Sequence, residues 1–234
     1  RIITPTALAI LRTFQALSPE RLTASVAIIE IGAARTHVVI VKEGHLRLAR
    51  DLPIGSAEIT RALAGVSPGG QGVPFDAAKA ERVKRHVGIP TENLDALTDE
   101  GVSLGQLAAL IHVVLDKLMT DLRRILDFYQ VHHEGSVERL LVVGGGADLK
   151  HLPTVLREGL GLPVECYNPL LVLSPTDMDH ADVEDGPRLT AALGAALTSG
   201  RGVNLIPADL KARRRQTAMK NRMRRVGAVV GAAA

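Results

Sequence analysis

The spacing of apolar residues along this chain changes repeatedly, and each spacing predicts one type of secondary structure. Nearly continuous apolar runs with many Val and Ile residues predict strands at about 25–32, 35–42, 45–52 and from Leu140 onward, with a short one near Val164. Apolar residues spaced three and four apart predict helices at 5–17, 56–64, 76–87, 104–132, 151–160 and 188–198. Strands and helices therefore mix along the chain, which is typical of an α/β protein.

The turn between the first two predicted strands contains small residues and has an acidic residue at its entrance. Glu30 precedes Gly32, and Ala33, Ala34 and Thr36 follow. Small residues at such a bend expose backbone amides, and a carboxylate beside them is able to hold a hydrated Mg²⁺ through water. The alternative is an ordinary β-meander with a small-residue turn.

A second glycine-bearing turn follows the strand that begins at Leu140. Gly144, Gly145 and Gly146 end an apolar run and precede an amphipathic segment, so the pattern predicts a buried strand, a tight turn and the start of a helix. Glycine lets a backbone approach a ligand closely, and the free amides of a helix start favour a phosphate. Many α/β domains use such a turn for packing alone, and this alternative stays open.

Composition limits the classes of protein to which the chain can belong. With 46% hydrophobic residues in 234, it is long enough to bury a sizeable core of Leu, Val, Ala and Ile. Its single cysteine, Cys166, excludes an internal disulfide and fits a reducing compartment. The chain begins with Arg rather than Met, so we expect it to be part of a longer protein.

Charge is distributed unevenly between the body and the tail. Residues 201–225 contain nine Lys or Arg and one acid, a net charge of +8, so residues 1–200 carry −5 of the total of +3. The high pI therefore belongs to the tail and gives no reason to interpret the body as a nucleic-acid binder. The tail also lacks aromatic residues, which removes base stacking and leaves only salt-sensitive phosphate contacts.

In this order, the elements and turns resemble the second lobe, with its connecting helices, of an actin-like ATPase, a ribonuclease H-like fold. The likeness is greatest to the PilM family of type IV pilus assembly proteins. Residues 29–36 resemble the second phosphate motif, 53–60 the segment after it, 80–84 the helix near the ribose and base, 142–150 the adenosine motif and 192–196 the returning connection.

This resemblance implies an ATP site that two lobes share. The implied nucleotide-binding residues are Gly32, Ala33, Ala34, Thr36, Glu81, Lys84, Gly144, Gly145 and Gly146. Glu30 stands where the family has Asp, and its implied role is to hold Mg²⁺ through water. The first phosphate motif belongs to the other lobe, upstream of Arg1, and we expect this fragment alone to bind ATP poorly or not at all.

The tail resembles a different family. Residues 202–215 resemble the cytoplasmic N-terminal motif of PilN, so Val203, Asn204, Leu205, Ile206 and Pro207 are the implied partner-binding residues; a plain linker is the alternative. Residues 226–234 are apolar and follow the basic run, as the positive-inside rule predicts for a cytoplasmic flank. A helix needs about twenty residues to span a membrane, so we predict that these nine residues are the start of a truncated transmembrane helix. The alternative is an apolar chain end that has no membrane role.

Together these patterns predict three regions and a scaffold function. The regions are the actin-like lobe at 1–200, a basic PilN-like juxtamembrane segment at 201–225 and a membrane helix start at 226–234. The implied partners are PilN- or PilO-like inner-membrane proteins, or its own tail in cis or trans, with a homo-oligomer possible. A PilM–PilN fusion would approach the architecture of GspL in type II secretion, at the cytoplasmic face of the bacterial inner membrane, with weak or no ATP hydrolysis.

Three alternatives belong to other classes of protein. An actin-like fold also occurs in small-molecule kinases, whose catalytic Asp would lie in the other lobe. A membrane-tethered division protein like FtsA would end in an amphipathic membrane helix. A nucleic-acid binder would depend on the basic tail alone.

Overall fold

The computed structural model describes residues 3–133, 135–173, 183–198, 203–210, 213 and 219. They fall into two compact units: Thr6–Leu197 forms one, and the residues up to Pro5 group with those from Thr198 onward in the other.

A five-stranded sheet lies at the centre of the Thr6–Leu197 unit, in the order β3-β2-β1-β4-β5. β1–β2 and β2–β3 pair antiparallel, whereas β1–β4 and β4–β5 pair parallel. Their bounds are β1 Val26–Ile31, β2 Thr36–Lys42, β3 His45–Leu52, β4 Arg139–Val143 and β5 Val164–Cys166. Both glycine-bearing turns therefore follow neighbouring parallel strands, β1 and β4, at the same edge of the sheet.

Six α-helices surround this sheet within the described residues. Asp76 caps α3 by accepting a hydrogen bond from the Lys79 amide. Ser103 caps α4 in the same way, by accepting a hydrogen bond from the Gln106 amide. The helix bounds are α1 Thr6–Leu17, α2 Ser56–Leu63, α3 Ala77–Val87, α4 Leu104–His132, α5 Leu152–Leu160 and α6 Gly186–Ala196.

Alternating side chains of the central strands divide the core into two layers. On β1, Ala27, Ile29 and Ile31 face the layer of α2 to α5, whereas Val26 and Ile28 face α1. Strands buried on both faces have continuous apolar sequences, which explains the runs seen in β1, β2 and β4.

The helices α1 and α6, predicted as interdomain connections, pack closely against each other. A Cβ built on Gly194 would lie 1.7 Å from the Ala9 carbonyl oxygen, so only glycine fits there. The Thr13 hydroxyl donates to the Thr190 carbonyl at 2.6 Å, with both residues buried. This pair covers one face of the sheet.

The segment after β4 contains the predicted tight turn and the helix that follows it. Gly145–Asp148 forms a single 3₁₀ turn, and α5 begins only at Leu152, after His151 in a left-handed conformation at φ 67°. Gly144, at φ 87°, redirects the chain before any α-helix begins. The amides beside the glycines therefore belong to a four-residue turn, and the helix predicted over 151–160 begins at Leu152.

In the second unit, the predicted partner-binding segment pairs with the chain near its N-terminus. The Asn204 side-chain oxygen accepts hydrogen bonds from the amides of Ile3 and Ile206, and the Leu205 amide donates to the Ile3 carbonyl at 2.8 Å. Ile206 is buried, whereas Val203 and Leu205 are about half exposed.

Most of the basic run and all of residues 226–234 lie outside the described residues. Within the described part, no helix has the length and apolar character needed to cross a membrane.

Candidate functional site

A pocket of about 490 Å³ opens at the sheet edge where the two glycine-bearing turns meet. It brings together residues from three of the predicted nucleotide motifs: Ala33, Glu81 and Lys84, and Gly145 with Gly146. Its remaining lining residues are Ser56, Ala57, Arg85, Asp148, Leu149 and Arg188. Of the other predicted contacts, Gly32, Ala34, Thr36 and Gly144 are not part of this lining.

The first turn of α2 holds the turn between β1 and β2 in place. The Ser56 amide donates to the Gly32 carbonyl and the Ala57 amide to the Ala33 carbonyl, each at 2.9 Å. A Cβ on Gly55 would lie 2.4 Å from the Ala33 carbonyl oxygen, so the two backbone segments touch. The position of this turn therefore depends on α2 as well as on the strands.

Thr36 makes a contact within the protein and does not line the pocket. It is fully buried, and its hydroxyl donates to the Ile54 carbonyl at 2.7 Å. This bond joins the start of β2 to the segment that leads into α2.

Glu30 lies at the end of β1 with a side chain that is largely buried. Burial raises the pKa of its carboxyl group, and nearby Asp51 adds to this effect while His37 opposes it. His37 connects the two acids, with Nε2 3.7 Å from Glu30 and Nδ1 2.6 Å from Asp51.

The described residues contain no group of three or more side chains suited to direct metal ligation. One carboxylate is able to hold Mg²⁺ through water and does not supply a shell of direct ligands. The metal role of Glu30 stays a prediction.

Glu81 and Lys84 on α3 form a polar network with α2. Lys84 Nζ lies 2.6 Å from Glu81 Oε2, 2.9 Å from the Thr60 hydroxyl and 3.3 Å from the Ser56 carbonyl. Thr60 and Arg85 also donate to the Glu81 carboxylate, at 2.6 and 2.8 Å. Burial alone would raise the pKa of Glu81, but these donors outweigh it and lower the pKa to about 2.

The three glycines after β4 have different surroundings. A Cβ on Gly144 would lie 2.6 Å from the Ile31 carbonyl oxygen, and one on Gly146 would lie 2.3 Å from Ile31 Cγ2. A Cβ on Gly145 would have its nearest neighbour, Arg188 Cγ, at an ordinary 3.6 Å. Packing therefore requires Gly144 and Gly146, although Gly146 also lines the pocket, and of the three only Gly145 has space for a Cβ.

Arg188 on α6 is the residue of this site that sequence reasoning missed most completely. Its Nε donates to Asp148 at 2.7 Å and its guanidinium also bonds Asp185. Arg188 lies 40 residues from Asp148, and no local pattern brings the two together. Asp148 was within the predicted adenosine motif and Arg85 adjoins Lys84, so both had a signal in the sequence.

The pocket combines three cations, Lys84, Arg85 and Arg188, with two carboxylates, Glu81 and Asp148. Cations and backbone amides attract an anionic group, whereas carboxylates accept hydrogen bonds from hydroxyl or amino groups. The lining therefore suits a ligand that has both an anionic part and hydrogen-bond donors.

Comparisons with known proteins agree with this architecture. The family described as cell division protein FtsA matches residues 27–194. The structure titled PilM-PilN type IV pilus biogenesis complex shares 26% identity at a TM-score of 0.65, over 84% of this chain and 52% of that one. No curated protein matches the chain.

Two further solved structures show the fold alone. MreB5 of Spiroplasma citri bound to ADP is 13% identical at a TM-score of 0.58, over 82% of this chain and 57% of that one. Ta0583, an archaeal actin homolog, is 15% identical at a TM-score of 0.57, over 83% and 54%. The chain thus spans about half the length of the solved structures it matches, and it has the expected actin-like ATPase fold.

Proposed function

The chain belongs to the family of cell division protein FtsA, and we propose that it forms the nucleotide-binding second lobe of a scaffold in the type IV pilus inner-membrane assembly complex. The observation that carries this proposal is the pocket, where residues from three separate motifs converge. The 26% identity to the PilM-PilN complex supports the pilus role.

ATP is the proposed ligand, since its phosphates and its ribose match the two halves of the lining. The turn at Ala33 receives the phosphate end, and Glu81 accepts hydrogen bonds from the ribose hydroxyls. Gly145 leaves space for the adenosine. Bound Mg²⁺ would neutralise phosphate charge, with Glu30 as its water-mediated holder, and hydrolysis is weak or absent.

The segment 203–207 is the proposed contact with the membrane complex. A PilN-like protein is the proposed partner, or this segment itself fills that role in cis or in a neighbouring copy, as in a PilM–PilN fusion. Asn204 already satisfies backbone amides in the structure, which is the recognition chemistry that an extended segment needs. The lobe would then comprise residues 1–200, the juxtamembrane segment 201–225 and the start of the membrane helix 226–234. The lobe would lie at the cytoplasmic face of the inner membrane.

A peptide titration tests this proposal. A labelled peptide of residues 202–215 is titrated with the full-length protein from which residues 202–215 have been deleted. The titrations are made with and without Mg-ATP and at two salt concentrations. We expect saturable binding that Asn204→Ala weakens about tenfold, since the backbone amides that contact the Asn204 side chain lose their acceptor. A scrambled peptide of equal charge is the control, and binding that only follows salt would contradict the pilus role.

A membrane-tethered division protein is the second candidate, and the match of the FtsA family over residues 27–194 favours it. The same titration separates the two candidates. A division protein would bind nucleotide yet show no sequence-specific binding of the 202–215 peptide. If the peptide binds, the chain belongs to a pilus complex or to a related type II secretion complex like that of GspL. If it does not bind, neither assignment holds.

A further inference from the structure

Arg188 lies at a position of α6 where a positive charge is unfavourable. The helix begins at Gly186, so Arg188 belongs to its first turn. The free amides of a helix N-terminus carry a partial positive charge, which favours an acidic side chain and disfavours a cation. A residue type that conflicts with its own element indicates a role elsewhere in the fold.

Two carboxylates offset this charge and hold the guanidinium in place. Nε of Arg188 donates to Asp148 at 2.7 Å, and a second nitrogen of the same group bonds Asp185. Asp185 occupies the N-cap position, but within the described residues its side chain accepts no hydrogen bond from the amides of α6. Its carboxylate therefore holds Arg188 instead of capping the helix, and the planar guanidinium serves both acids at once.

These bonds fasten the turn after β4 to α6 at both ends of the turn. At the first end, the Gly144 amide donates to the Pro187 carbonyl at 2.8 Å. At the last end, Asp148 accepts from Arg188. Between them lies Gly145, and a Cβ built there would have the Arg188 side chain as its nearest neighbour, with Cγ at 3.6 Å and Cδ at 3.9 Å. The wall of the pocket that this turn forms therefore depends on α6.

We infer that Arg188 is a positioning residue, which holds the turn after β4 against α6 and so fixes this wall of the pocket before a ligand binds. α6 is a firm support, since its Gly194 packs directly on the backbone of α1. A wall that is fixed in advance loses less conformational freedom on binding, which favours affinity. This inference rests on the proposed function, because it concerns the same site.

A double-mutant cycle with adenosine measures the positioning effect. The full-length protein is compared with its Arg188→Met, Asp148→Asn and doubly substituted variants, by competition against a fluorescent ATP analogue. Adenosine carries no net charge, so a change in long-range attraction does not alter its affinity. Arg124→Met is the matched control, because it removes the same side chain from an exposed ion pair with Asp121 on α4.

We expect each single variant to weaken adenosine by about fivefold and the double variant by the same factor, because either change opens the same contact. Arg188→Lys, which replaces the planar guanidinium by a point charge, should have an affinity between those of the wild type and Arg188→Met. Arg124→Met should bind as the wild type does. Losses that multiply to about 25-fold in the double variant, or wild-type affinity in Arg188→Met, would overturn the inference.

Hydrogen exchange of the ligand-free protein gives a readout that a direct contact between Arg188 and a ligand would not change. The amides of Ala147 and Leu149 close the turn through backbone hydrogen bonds. In Arg188→Met these amides should exchange faster than in the wild type, whereas those of Ser56 and Ala57, beside the other turn, should be unchanged. Unchanged exchange at the first pair would overturn the positioning role, and so would equally faster exchange at both pairs, which indicates a general loss of stability.

If Arg188→Met does not fold, Asp148→Asn disrupts the same bond, and the exchange of the same amides decides the question. A wild-type protein that binds neither ATP nor adenosine would contradict the proposed function, and the exchange data would still decide the role of Arg188.

Discussion

The two glycine-bearing turns beside the pocket look alike in sequence but are held in different ways. In the turn after β1, the glycine that packing requires is Gly55, which lies outside the turn and touches Ala33. In the turn after β4, the required glycines, Gly144 and Gly146, are inside the motif and both press on Ile31. Both turns are thus fixed by close contacts within the protein, with backbone at Gly55 and Gly144 and with the Ile31 side chain at Gly146.

This difference shows that a glycine in a motif is weak evidence for a ligand. Two of the three glycines after β4, Gly144 and Gly146, are required by packing whether or not a ligand binds. Ala33 from the first turn and Gly145 and Gly146 from the second line the pocket, and of these two glycines only Gly145 has space for a Cβ. A functional test of this site must therefore distinguish glycines that hold the fold from the glycine that has space for a side chain.

The largest expected effect is on stability, from Gly144→Ala. At φ 87° and ψ 172° this residue adopts a conformation that only glycine tolerates, and a Cβ would lie 2.6 Å from the Ile31 carbonyl oxygen. We expect the free energy of unfolding to fall by about 3 kcal/mol, from backbone strain and overpacking together. Urea denaturation of the full-length protein, followed by circular dichroism, measures it.

Gly145→Ala is the matched control for that variant, one residue along the chain. Its Cβ meets Arg188 at 3.6 Å, so we expect a change below about 0.5 kcal/mol. Equal losses from both alanine variants would show that the turn is held as a unit and that the distinction between its glycines is wrong.

The sequence predicted the sheet and the long helix well for identifiable physical reasons. Strands β1, β2 and β4 are buried on both faces, so their apolar runs report their position directly. The predicted bounds of α4, 104–132, are those observed, because its broad apolar stripe begins directly after Ser103, which caps the helix.

The site was predicted only where its residues belong to local motifs. Ala33, Glu81, Lys84, Gly145 and Gly146 line the pocket as the resemblance implied. Arg188 reaches the pocket through the packing of α6, which no local spacing records. Periodicity shows which face of an element is buried, but it does not identify the atoms that meet there. The 3₁₀ turn before α5 and the three hydrogen bonds of the Lys84 ammonium could therefore not be predicted from the sequence.

A smaller effect, on binding rather than stability, is expected from Gly145→Leu. The added side chain would enter the pocket where the Cβ of this residue has space, and would compete with the adenosine. We expect affinity for a fluorescent ATP analogue to fall by at least about tenfold, with unfolding free energy changed by less than about 1 kcal/mol.

Gly145→Ala, which adds a single methyl group, should weaken binding by an intermediate factor. Unchanged affinity in the leucine variant would mean that nucleotide does not occupy this part of the pocket, and the two turns would then differ in function as well as in packing.

The smallest expected effect concerns Glu30, the buried carboxylate that distinguishes the first turn from the second. Burial raises its pKa in the folded state, so the stability that protonated Glu30 contributes at low pH is lost as pH rises through that pKa. Glu30→Gln should therefore be more stable than the wild type at pH 7, by less than about 1 kcal/mol, and the difference should vanish towards pH 4.

Urea denaturation at several pH values measures this difference, with Glu92→Gln at an exposed site as the control for loss of one negative charge. A variant less stable than the wild type at pH 7 would show that the attraction of His37 exceeds the cost of burial, and the turn after β1 would then be held by charge as well as by the backbone contacts of α2.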